Sequence, residues 1–85
     1  MNTILRVNKN FLDWCKEAGN DLITPHPEFG FKGLKDGDCW CVCASWYLKA
    51  LKAGKSCPIY LKKTNKKTLE IISFEILKKN ALDLS

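Results

Sequence analysis

Eighty-five residues suffice for one small domain, here taken as 1–85, and 46% hydrophobic against 27% charged residues exclude wholesale disorder. The net charge of +5 is carried by thirteen lysines and one arginine against nine carboxylates, which favours diffuse attraction to anions over bidentate reading of phosphate or guanine. No apolar run reaches the roughly 18 residues of a membrane span, and Met1 to Asn10 lack the features of a secretory leader, so no membrane association is expected.

Along the chain, Phe11, Leu12, Cys15 and Ala18 recur at helical spacing, with Asn8 placed to cap the start and Gly19 the end, predicting a helix over 9–18. From Asn20 to Asp38 no period is sustained, and Pro25, Pro27, Gly30, Gly33 and Gly37 punctuate a long loop pinned by its own aromatics, Phe29 and Phe31 among them. Trp40 to Cys43 reads as a short strand, followed by a helix over 46–53 with Ser45 as its cap and Gly54 as its stop. The alternative is one longer helix from an Asp38 cap through Ala53. A strand sets Cys41 and Cys43 on one face; a helix separates them by roughly 200°.

Further on, 58–61 reads as a strand, Thr64 caps a helical turn through Leu69, and 70–72 reads as another strand. Ser73 then caps a last helix, where Phe74, Leu77 and Ala81 fall at i, i+3 and i+7. The expected fold is α+β: three to four short helices packed on a short sheet of two or three strands, with a long ordered loop.

Five cysteines, Cys15, Cys39, Cys41, Cys43 and Cys57, form an odd set that suits reduced thiols in the cytoplasm or another reducing compartment. The mid-chain thiols are expected as small apolar filler of the core, because free Cys is among the most buried residue types. Zinc is disfavoured, since the one-residue gaps between Cys39, Cys41 and Cys43 do not turn the chain around a tetrahedral ion. His26-Pro27-Glu28 lacks the Pro-Cys-x-x-Cys partner that a zinc deaminase needs. Cys41 and Cys43 remain as possible reactive thiols, Cys43 the better placed beside a helix start.

Lys49, Lys52 and Lys55 form a ridge, and Lys62, Lys63, Lys66 and Lys67 a cluster, both usable by an anion, with Trp14, Tyr47 or Tyr60 as stacking partners. A partner surface is sought on the loop and the segment after it. Candidate binding residues are Asn20, Asp21, Phe29, Phe31, Trp40, Trp46, Lys49, Lys52, Lys62 and Lys63. No catalytic residue, cofactor or metal ligand is nominated.

Gly19-Asn20-Asp21-Leu22, Thr24-Pro25, Pro27-Glu28-Phe29, Phe31, Gly33-Leu34-Lys35, Gly37-Asp38, Trp40-Cys41-Val42-Cys43-Ala44 and Trp46 stand in a distinctive order. Pro58, Leu61, Thr64, Leu69, Leu77-Lys78 and Ala81 extend it. This pattern resembles the bacterial domain of unknown function family 2237, over most of the chain from Phe11 onward. The resemblance implies no substrate, cofactor or catalytic residue. It shows two departures: family members begin with a further segment carrying an Asp-Gly-Cys-Cys stretch and a Cys ahead of the first helix, near the position of Ile4, and they commonly have a His where Asn65 stands. The expectation is therefore an interaction or scaffold module that binds a protein partner or larger assembly, with thiol or zinc chemistry and nonspecific nucleic-acid binding as alternatives.

Overall fold

A computed structural model describes residues 2–83 of the chain. Its first element is a strand, β1 (Asn2–Arg6), whose alternation is clean: Thr3 and Leu5 point inward and are buried, followed by Val7, while Ile4 is half-buried and Arg6 exposed. The sequence predicts no element here, because five residues of mixed polarity give only a short period-two signal.

Helix α1 (Lys9–Glu17) starts where expected, the Phe11 amide donating to Asn8 Oδ1 at 2.8 Å, and buries Phe11, Leu12 and Cys15. It ends on Gly19 at φ 96°, with the Asn20 amide reaching back to the Cys15 carbonyl at 2.8 Å. The long loop holds one 3-10 turn, Pro27–Phe29, and a bridge between His26 and Phe31. Strand β2 (Cys39–Cys43) pairs antiparallel with β1, Ile4 opposite Cys41 and Arg6 opposite Cys39.

Helix α2 (Ala44–Lys52) follows β2 without a linking residue. It begins before Ser45, with Cys43 in the N-cap position, so the expected cap lies inside its first turn. Its end repeats the motif of α1, with Gly54 at φ 70° and the Lys55 amide bonded to the Ala50 carbonyl at 2.9 Å.

The expected strand over 58–61 is reduced to a bridge. Arg6 N–H donates to the Pro58 carbonyl at 3.0 Å and Tyr60 N–H to the Ile4 carbonyl at 2.8 Å, which lays Ile59 along β1. The Asp83 carboxylate then accepts from the Leu61 and Lys62 amides, both at 2.9 Å, and the chain coils into a 3-10 turn, Leu61–Lys63. Asn65 rather than Thr64 caps the next turn, Lys66–Glu70, because the Thr64 hydroxyl accepts from the Ile4 amide at 3.2 Å and donates to the Tyr60 carbonyl at 2.9 Å. The expected strand over 70–72 is absent, since the Ile71 and Ile72 amides both return to the Thr68 carbonyl in a helical turn. Helix α3 (Phe74–Asn80) carries its Ser73 cap, but only Leu77 of its apolar stripe is fully buried; Phe74 is 48% exposed.

Among the described residues, three α-helices and a two-stranded antiparallel sheet make the fold α+β. The core gathers Leu5, Val7, Phe11, Leu12, Tyr47, Ile59, Ile72 and Leu77 between the inner sheet face and the helices. Tyr47 is the largest fully buried side chain, and its hydroxyl donates to the Cys57 carbonyl at 2.6 Å. Burial holds this phenol well above the ordinary tyrosine pKa. It also withdraws Tyr47 from any stacking role. Tyr47→Phe keeps the ring but orphans a buried carbonyl, so a loss of about 1–2 kcal/mol is expected in urea unfolding, with little change in m-value.

Candidate functional site

The strand alternation that buries Trp40 partly and Val42 fully turns Cys39, Cys41 and Cys43 outward, and all three are exposed. The expectation of inert core filler therefore fails for the mid-chain thiols; the buried cysteines are Cys15 and Cys57. Burial pushes the Cys57 thiol up to about 12 and raises Cys15 as well, so neither is a nucleophile near neutral pH. The Trp46 indole N–H donates to the Cys15 sulfur at 3.2 Å, and its ring lies 5.0 Å from that of Trp14, so Trp46 packs on α1 with one flank.

Backbone direction in β2 follows from β1. Ile4 gives its carbonyl to Tyr60 and its amide to Thr64, and Arg6 gives its amide to Pro58, so both turn away from β2. Ile4–Cys41 and Arg6–Cys39 are therefore non-hydrogen-bonded pairs, and the peptide groups of Cys41 and Cys39 point to the other side of β2. With the sheet order β1-β2, that side is an open edge among the described residues. The edge sequence Cys-Trp-Cys-Val-Cys contains no charge, proline or glycine.

A cleft of about 410 Å³ runs beside this edge. Trp40, Cys41, Val42 and Cys43 form one wall; Asn20 and Leu22 of the loop and Ser45 and Trp46 of α2 form the other. The site thus brings together Asn20, Trp40, Cys41, Cys43 and Trp46 from the sequence candidates. Lys49 stands at its margin, its ammonium 5.6 Å from the Trp46 ring centre. Leu22, Val42 and Ser45 are not among the sequence candidates; a strand that sets Cys41 and Cys43 on one face sets Val42 on the other, which is the sequence signal for the first wall.

The other candidates sit elsewhere. Phe31 stacks on His26 and meets Trp40 at 5.8 Å, so it buttresses the strand, while Phe29 is 83% exposed and anchors nothing in the core. Lys52 lies on the last turn of α2, and Lys62 and Lys63 on the 3-10 turn, with the Lys63 ammonium 5.3 Å from the Tyr60 ring centre. On the outer sheet face, the Cys39 thiol beside Tyr60 raises that phenol's pKa. Among the described residues no group of three or more His, Cys, Asp and Glu side chains is disposed to hold a metal ion, and no helix is long and apolar enough to cross a membrane.

Asp21 is a loop staple. Its carboxylate accepts from the Thr24 hydroxyl, the Thr24 amide at 3.1 Å and the Ile23 amide at 2.9 Å, and these bonds lower its pKa to about 2. A depressed carboxylate supports the fold above its unfolded value, and that support is lost as pH falls toward its folded value. In an NMR titration the Asp21 carboxyl should show its midpoint near 2, and Thr24→Val should move the midpoint up toward the ordinary value of 3.8.

A comparison with curated proteins yields no match. The family model described as "Uncharacterized protein conserved in bacteria (DUF2237)" matches residues 2–81, nearly the whole chain and all of the elements that build the cleft, and the chain belongs to that family.

Proposed function

We propose that the protein is a small binding module that accepts an extended segment of a partner protein as a third strand on the open edge of β2. The observation that carries this is the edge itself: unpaired peptide groups at Cys39 and Cys41, no charged or proline residue to protect them, and a cleft alongside. Soluble proteins ordinarily blunt such edges, because an unprotected one invites pairing with another chain. In strand addition the main chain supplies affinity and alternate side chains supply selectivity. Here those side chains would enter between Trp40 and Trp46, beside Leu22 and Val42. The reading includes a reducing compartment, since three exposed thiols on one strand stay reduced only there.

One observation favours a second reading, thiol chemistry at Cys43. It is exposed, lines the cleft and occupies the N-cap position of α2, so of the three outward thiols it is the one at a helix N-terminus. Nucleic-acid binding has less support. The lysine cluster and the Trp40–Trp46 cleft share no lining residue, and Tyr47 is fully buried.

Strand addition is tested at Cys41, whose N–H faces away from β1, so a proline there leaves the β1 ladder intact. Cys41→Ser should keep a stoichiometric complex, and Cys41→Pro should weaken it at least about tenfold at unchanged circular dichroism. Retention of the complex by the proline variant refutes the reading. Residue-resolved alkylation tests the thiol reading: Cys43 should react about tenfold faster than Cys39 and Cys41, with Cys15 and Cys57 reacting only on unfolding. Equal rates at the three exposed thiols sink it.

A further inference from the structure

A second apolar surface lies away from the β2 edge. Leu69 and Phe74, 47% and 48% exposed, line a groove of about 240 Å³ whose floor is Leu61 and Leu77. It runs between the 3-10 turn Lys66–Glu70 and helix α3, with Lys66 on its rim. Lys78 follows Phe74 by four positions and so stands on the same face of α3.

Charge on this part of the chain is one-sided. Between Leu61 and Asp83 there are six lysines against the three carboxylates of Glu70, Glu75 and Asp83. Asp83 is engaged by the Leu61 and Lys62 amides, and among the described residues none of the six lysines makes an ion pair. Apolar anchors with an unneutralised basic rim are complementary to an amphipathic segment whose polar face is acidic.

The conformation of that segment follows from the walls. Both are helical turns whose backbone groups bond within themselves, as the Ile71 and Ile72 amides do to Thr68 and the Leu77 amide to Ser73. They offer no ladder to an incoming chain, so the occupant must satisfy its own backbone, which a helix does. We infer that the groove between Lys66–Glu70 and α3 is a docking site for an acidic amphipathic helix of a partner protein, with Leu69 and Phe74 as anchors and Lys66 and Lys78 as charge clamps.

The test is an NMR titration of the full chain with a synthetic helical peptide of about 16 residues, Leu and Phe at i, i+3 and i+7 and Glu at the remaining positions. Saturable shifts centred on Leu69 and Phe74 are expected. Phe74→Ser and the pair Lys66→Glu with Lys78→Glu should each weaken binding about tenfold or more, while Cys41→Pro leaves it unchanged. Phe74 and both lysines are solvent-exposed, so these variants keep the core. The inference is overturned by equal affinity for the same peptide with Lys in place of Glu, or by no saturation below about 1 mM. Tighter binding to phosphatidylserine vesicles or to single-stranded RNA than to the acidic peptide overturns it too, by assigning the surface to another class of partner.

Discussion

Strand β1 shares its peptide groups between two neighbours, and the rest of the molecule is arranged around that division. Residues whose amides and carbonyls face one way, Ile4 and Arg6, hold Pro58, Tyr60 and Thr64; the alternate residues face β2. A strand has only two edges. Once the bridge at Ile59 occupies one edge of β1 and β2 the other, β2 can be continued only on its far side, where the described chain supplies nothing. The open edge is therefore a consequence of where β1 spends its hydrogen bonds.

Burial divides the cysteines into two chemical populations. Cys15 lies on the inner face of α1 and Cys57 just before the Ile59 bridge, and desolvation raises both thiols because a buried thiolate lacks water. Cys39, Cys41 and Cys43 stand on the outer face, in solvent, on a strand whose inner positions are filled by Trp40 and Val42. Residue type alone does not separate these groups. Position in the fold does.

The two proposed docking surfaces would take different partner backbones. The β2 edge has unpaired peptide groups and so complements an extended chain; the groove beside α3 has saturated walls and complements a helix that brings its own hydrogen bonds. Their electrostatics differ as well. Trp40 and Trp46 flank a cleft with no charged lining residue, whereas Lys66 borders the groove.

Local chemistry was legible in the amino-acid sequence: the Asn8 and Ser73 caps, the glycine stops at Gly19 and Gly54, the long loop, and β2 as a strand rather than part of a longer helix. The caps and stops depend on contacts within a few residues, and the alternation of β2 shows within its own five residues, so the pattern carries them. The strand over 58–61 and the cap at Thr64 read differently in the fold because distant groups compete for the same backbone: Asp83 takes the amides of Leu61 and Lys62, and Ile4 takes the Thr64 hydroxyl. Five of the candidate residues proved to share one cleft, but its second wall, where Leu22 and Ser45 join Asn20 and Trp46, becomes a wall only when α1 and α2 are packed through Trp14 and Trp46. Hydrogen bonds to near neighbours are written in the order of residues; which edge stays open, and which sulfur meets water, is decided by packing between segments that the chain itself holds far apart.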